Sequence, residues 1–212
     1  MKTQITRRTG LLGIIAVAFA GLLSVTTPAT AQVAADAAGK FVQSLGDKVV
    51  AVVADGSATQ DKRQAVFRAL LNENFDVQTI GRFVLGRYWN AASQPQREEY
   101  QKLFENMIVG VYAERFGQYS GEQFKVTGSR PEGERDALVT SQVLRPNGPP
   151  VNVSWRVRQK DGGFKIIDVV VENVSMSVTQ RSEFASVIES NGGRFDALLD
   201  ALRQRTRTAQ TQ

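Results

Sequence analysis

Hydrophobic positions along this chain follow two rules, and the switch between them falls at Gly121. Before it, apolar residues recur every three or four positions, the spacing that builds one stripe on a helix. Phe41, Val42, Leu45, Val49, Val52 and Val53 predict a helix over Val33–Ala54, which Asp55-Gly56-Ser57 stops. Val66, Phe67, Leu70 and Leu71 predict a second over Thr59–Asn74, with Thr59 as its N-cap. Asp76 is placed to cap a third, Val77–Leu85, in which Ile80, Phe83 and Val84 share a face and which Gly86 ends. Ser93-Gln94-Pro95-Gln96 then has the form of a capping box, with Pro95 tolerated because first-turn amides have no intrahelical acceptor. From there Tyr100, Leu103, Phe104, Met107, Ile108, Val111, Tyr112 and Phe116 run along one stripe, ended by Gly117 and Gly121. Ile80–Tyr119 holds eight of the seventeen aromatic residues, all four tyrosines among them, so this stripe must be buried against something.

Beyond Gly121 the period is two. Phe124/Val126/Gly128, Ala137/Val139/Ser141/Val143 and Val151/Val153/Trp155/Val157 alternate with polar residues and predict three strands. Phe164–Val171 is apolar on both faces apart from Asp168, the pattern of a strand that is central or covered on both sides. Turn chemistry at Pro131-Glu132-Gly133, Pro146-Asn147-Gly148-Pro149 and Asp161-Gly162-Gly163 joins the four as an antiparallel meander. Helical spacing returns after Ser175 or Ser177 with Met176, Val178, Phe184, Val187 and Ile188, and again over Arg194–Arg205 with Phe195, Leu198, Leu199 and Leu202. The fold class expected is α+β: a twisted four-stranded antiparallel sheet packed against several helices, with a helical N-terminal half.

The first residues change how the rest is counted. Lys2, Arg7 and Arg8 precede an apolar run, Leu11–Val25, and Ala29-Thr30-Ala31 is a small-x-small cleavage site, so Met1–Ala31 reads as an export signal. Thr6-Arg7-Arg8-Thr9-Gly10-Leu11 also suits a twin-arginine route, although Gly10 stands where such signals often carry Phe. One domain over residues 32–205 is expected to remain, with a polar, disordered tail at 206–212. The whole chain carries +5, but three basic and no acidic residues lie in the signal, which leaves +2 and argues against a nucleic-acid partner.

Candidate chemistry is thin. The sequence has no Cys and no His, which removes disulfides, thiol catalysis, imidazole bases and the commonest metal ligands. No phosphate-binding glycine loop is present, and no cofactor or metal is expected. Asp168, alone in an apolar strand with Glu172, Arg181 and Glu183 nearby in sequence, could serve as a general base or as a structural acceptor. The abundance of bulky apolar residues, with Met107 and Met176 among them, is compatible with an adaptable apolar cavity as well as with an ordinary core. A module that only bridges other proteins is a third possibility.

Three segments taken together carry a resemblance. They are Phe75–Trp89 (FDVQTIGRFVLGRYW), Tyr112–Gly121 (YAERFGQYSG), and the run from Ile167 that contains Asp-Val-Val-Val-Glu-Asn-Val-Ser-Met and then Arg181-Ser182-Glu183-Phe184. In these the chain resembles the MlaC, or toluene-tolerance, family of exported phospholipid-binding proteins, from about Phe41 to Arg203. Asn173 stands where that family often has Gly, a change that a left-handed turn tolerates. The resemblance implies a periplasmic shuttle that helps keep outer-membrane lipid asymmetry. Its implied ligand is a glycerophospholipid with acyl chains in a pocket between sheet and helices. Its implied partners are an inner-membrane lipid ABC transporter complex with a ring-forming substrate-binding subunit and an outer-membrane lipoprotein complex. A hopanoid or another hydrophobic ligand is an alternative cargo. On that reading the pocket would be lined by Phe83, Phe104, Met107, Ile108 and Tyr112 from the helices and by Val139, Val153, Trp155, Ile167, Val169 and Val171 from the sheet, with Val174 and Met176 closing the end. Arg82, Arg87 and Arg181 are candidates for the rim, where a head group would sit.

Overall fold

A computed structural model of the chain describes residues 29–54, 59–116 and 121–210. The apolar run of the export signal, the Asp55-Gly56-Ser57 stop and Gly117 lie outside these residues. The described elements are α1 (Ala29–Val53), α2 (Gln60–Asn74), α3 (Val77–Leu85), α4 (Tyr88–Ala91), α5 (Gln94–Phe116), β1 (Gln123–Glu132), β2 (Asp136–Leu144), β3 (Val151–Lys160), β4 (Gly163–Val171), β5 (Val174–Ser175), α6 (Met176–Ser190) and α7 (Phe195–Gln210). Helix α7 thus continues five residues past its expected end, through most of the stretch expected to be a disordered tail. None of the described helices is long and apolar enough to cross a membrane.

The caps form as the sequence predicts. Thr59 accepts from the Lys62 amide, Asp76 from the Thr79 amide and Ser175 from the Val178 amide. At α5 the box closes both ways: the Ser93 amide donates to Gln96 Oε1 at 2.9 Å and the Gln96 amide to Ser93 Oγ at 3.4 Å. The sheet is antiparallel in the order β1-β2-β3-β4-β5, which makes five strands where four were expected. The extra one is a two-residue strand made by a turn at Glu172 and Asn173, whose φ angles are 46° and 65°. Both residues are in the left-handed region that a two-residue hairpin turn of this hand requires. Asn173 therefore keeps the backbone that glycine would supply.

Two apolar cores result. One is helical: Tyr100, Phe104 and Met107 of the central stripe pack with Phe184, Ile188, Leu198, Leu199 and Leu202 of α6 and α7. Tyr100 is fully buried there, stacked on Phe104 and edge-on to Phe184, and its hydroxyl donates to the Gly81 carbonyl at 3.0 Å. Burial pushes its pKa well above the usual tyrosine value. The other core lies between α1 and the sheet, where Ala35, Ala38, Val42 and Leu45 meet Ala137, Val139, Val157 and Ile166. Helix α1 also guards the free edge of β1. The Gln43 amide accepts from the Val126 N–H and donates to the Phe124 carbonyl, occupying backbone groups that would otherwise be open to another strand.

Phe75 packs against both cores. It bridges Ile166 as a short parallel pair, and the next amide, Asp76, donates to the Ile166 carbonyl at 3.0 Å. Asp76 is buried, and its second carboxylate oxygen pairs with Lys160 Nζ at 2.9 Å. Burial alone would raise its pKa, but bonds from Lys160 and Thr79 outweigh that and hold it below the usual carboxylate value.

Two outcomes follow from this packing. A Cβ added at Gly46 would lie 2.0 Å from the Phe124 ring, whereas one at Gly39 would meet Ser129 at an ordinary 3.4 Å. Alanine in a helix gains about 1 kcal/mol over glycine, while overpacking costs about 1–3 kcal/mol, so Gly46→Ala should lower the urea midpoint and Gly39→Ala should leave it equal or higher. Asp76→Ala removes a cap and an ion pair and should cost about 1–3 kcal/mol at neutral pH. Because the native pKa of Asp76 is depressed, its contribution is present above the unfolded value of about 4 and fades as pH falls through the native one. Wild type and Asp76→Ala should therefore converge in stability under acid.

Candidate functional site

Strand registers decide which side chains share a surface. Val139 pairs with Trp155 and Trp155 with Val169, while Ser141 pairs with Val153 and Val153 with Val171. These are two adjacent cross-strand rows, so Val139, Val153, Trp155, Val169 and Val171 form one continuous apolar patch on the face that α1 partly covers. Val139 and Val153 are buried; Trp155, Val169 and Val171 are half-buried. Ile167 is not part of it. A register step between Arg156 and Val157 places an extra residue in β4, so Val157 pairs with Ile166, and Ile166 instead of Ile167 joins the face of Val169. The two consecutive isoleucines, Ile166 and Ile167, carry no signature of which one the bulge turns away.

The patch holds one polar side chain that the alternation had already aimed inward. Ser141 is buried, accepts from the Trp155 indole at 2.8 Å and donates to the Val153 carbonyl at 3.0 Å. The Trp155 ring is held edge-on by Phe124 at 6.0 Å. Each polar atom of this trio has a partner, so the surface presents hydrocarbon without the cost of a stranded polar group.

The helical candidates go elsewhere. Phe104 and Met107 stand inside the helical core, and Ile108 packs against it half-buried. Tyr112 stacks on Phe67 at 6.3 Å. Phe83 is 43% exposed, with the Arg181 guanidinium 5.3 Å from its ring centre, so it faces outward in this conformation. Val174 is 51% exposed and Met176 half-buried. The structure therefore gathers the sheet-side residues except Ile167, and leaves the helical ones in and around a separate core.

Asp168 has a structural occupation. One oxygen accepts from the Val169 amide, the Ser177 amide and the Ser177 hydroxyl, and the other from the Ser175 hydroxyl at 2.7 Å. These bonds tie β4 to the start of α6, and a base so engaged would have to give them up to take a proton.

A groove of about 640 Å³ opens between the ends of α2 and α5, with Phe75, Asp76, Trp89, Gln101 and Lys160 in its wall. None of the thirteen pocket candidates lines it. Its charged groups are largely matched internally: Lys160 to Asp76, Lys165 to the Asn72 and Glu73 carbonyls, and Arg97 to the Trp89 carbonyl. Such a polar wall does not suit hydrocarbon. No cluster of acidic residues among the described ones could hold a metal ion.

These elements define a single-sheet α+β domain whose distinguishing surface is an apolar sheet face. The family model for MlaC protein matches residues 43–204, and the chain belongs to the MlaC family. Among curated proteins it is 26% identical over 133 residues to the intermembrane phospholipid transport system binding protein MlaC of Haemophilus influenzae, covering 61% of each chain. It is 24% identical over 114 residues to the toluene tolerance protein ttg2D of Pseudomonas putida, covering 54% of this chain and 53% of that one. The matches thus span between half and two thirds of those relatives. A phospholipid-binding protein of Ralstonia solanacearum, solved in complex with a phospholipid, shares the fold with a TM-score of 0.70 at 24% identity, over 81% of this chain and 97% of that one.

If Asp168 is structural, Asp168→Asn should cost about 1–3 kcal/mol in chemical denaturation, because one amide cannot accept all of these bonds. An unchanged unfolding midpoint would show that the carboxylate is not holding β4 to α6.

Proposed function

We propose that this protein is a carrier of phospholipid, holding acyl chains against the sheet face built from Val139, Val153, Trp155, Val169 and Val171. The observation that carries the reading is that patch, apolar and internally satisfied, in a chain of the MlaC family. Ile108, Tyr112 and Met176, each half-buried, are the remaining candidates for the opposite wall. The likeness to a protein solved with a bound phospholipid supports the choice of cargo.

Physical chemistry sets what such a carrier must do. Burial is worth about 0.8 kcal/mol per CH₂, so one long acyl chain represents roughly 10 kcal/mol. An acyl chain buried to that extent does not leave for water on a useful timescale, so on this reading transfer happens while the carrier is docked. We place it in the periplasm after cleavage near Ala31, moving lipid between an outer-membrane lipoprotein complex and an inner-membrane ABC transporter complex with its ring-forming subunit. The head group needs little beyond solvent at the rim.

Protein purified without detergent should yield phospholipid on solvent extraction and mass spectrometry. Val171→Trp, which fills the end of one row, should lower the yield while the fold persists. A polycyclic triterpenoid in place of phospholipid would keep the carrier class and change its cargo. A consistently empty protein that also takes no lipid from vesicles would overturn the proposal.

A further inference from the structure

Four large apolar side chains among the described residues are markedly exposed: Phe83, Val111, Val174 and Val178. Three of them fall at the junction of α3, β5 and α6. Arg181 of α6 lies over the Phe83 ring of α3, and Val178 precedes Arg181 by three residues, on the same side of the helix. Val174 immediately precedes the Ser175 cap of that helix. Arg82 is the chain neighbour of Phe83 and stands 5.9 Å over Trp89, and Arg87 follows one residue after Gly86. Gly86 has φ 54° and ψ −123°, and a Cβ there would sit 2.8 Å from the Arg181 guanidinium. Only glycine allows both this turn and a guanidinium laid on its backbone.

Arg87 is bonded to Glu189 and Tyr88, but Arg82 and Arg181 have no carboxylate partner among the described residues. Two guanidinium groups without a carboxylate partner therefore belong to the helices that carry the outward ring and one of the outward valines, Arg82 with Phe83 on α3 and Arg181 with Val178 on α6. The three apolar side chains expose on the order of 200 Å², well short of the roughly 800 Å² per side of a standard protein interface. Guanidinium forks match phosphate oxygens, and each basic residue near an anionic bilayer adds a modest attraction.

We propose that this α3–α6 patch is a docking face for an anionic phospholipid bilayer, with Phe83, Val174 and Val178 entering the head-group layer and Arg82 and Arg181 taking lipid phosphates. So few anchoring groups give brief, reversible contact. The inference goes beyond carriage and does not require it, since vesicle binding reads the patch and solvent extraction reads the pocket.

The test is flotation of the purified protein with phosphatidylcholine vesicles, with and without phosphatidylglycerol, at low and high salt. Wild type should float with the anionic vesicles at low salt, less at high salt, and little with phosphatidylcholine alone. The Arg82→Glu/Arg181→Glu double variant should lose about tenfold or more of that partition with an unchanged unfolding midpoint. Val178→Asp should weaken binding and keep the salt dependence. If the double variant fails to fold, the lipid and salt dependence of the wild type still decide. Absence of wild-type flotation, equal flotation with both vesicle types, or wild-type behaviour of a folded double variant would each overturn the proposal. Were the double variant instead to lose capture of a protein partner while wild type ignored vesicles, the patch would belong to a protein and the bilayer proposal would be wrong. A protein that floats but carries no lipid would refute the carrier and leave the docking face standing.

Discussion

Everything in this fold hangs on the step from Phe75 to Asp76. The ring of Phe75 touches both cores, the Asp76 amide is bonded to the Ile166 carbonyl, and the Asp76 carboxylate caps α3 while pairing with Lys160 at the end of β3. One residue's apolar surface and the next one's polar groups thus join helix to sheet. Elsewhere the two halves meet through β4, where Asp168 holds the start of α6. A ligand between the halves would work against a small number of identifiable bonds, not against a continuous core.

That division bears on how an acyl chain could be held. On the sheet face Val139 and Val153 are already buried, Val139 under α1, and Trp155, Val169 and Val171 are the half-buried part that a hydrocarbon would meet on the proposed reading; the Trp155–Ser141–Val153 chain leaves no polar atom there seeking a partner. The central stripe of α5 was the other wall expected, yet Tyr100, Phe104 and Met107 are committed to α6 and α7. The half-buried positions further along, Ile108 and Tyr112, are less committed. A carrier needs one fixed wall and one that yields, because binding and release must both be possible without exposing the chain to water.

Much of this was legible in the sequence because local rules act within a few residues. The caps at Thr59 and Asp76 and the box at Ser93 and Gln96 are satisfied by atoms three positions away, so local sequence locates them, while at α6 it left Ser175 and Ser177 open and the structure selects Ser175. Strand alternation likewise placed Val139, Val153 and Trp155 on one face. What escaped depends on partners distant in the chain. Ile167 left the face through a bulge that only pairing with β3 reveals, and β5 exists only because β4 is there to bond it. Phe83 reads as core by period, but the surface it would cover is taken by Arg181 lying on Gly86. The five-residue extension of α7 has no local stop signal at Thr206, only polarity, which is a weak guide to where a helix ends.

Trp155 sits in the middle of the proposed lipid-facing patch, while Trp89 lies in the wall of the polar groove, and this separation offers a direct test of the central claim. Each would be kept as the single tryptophan, through Trp89→Phe or Trp155→Phe, and the protein loaded with phospholipid brominated along its acyl chains. Acyl chains on the sheet face predict strong quenching of Trp155 emission and little change at Trp89. Quenching of Trp89 with Trp155 unaffected would contradict the account and put the lipid elsewhere.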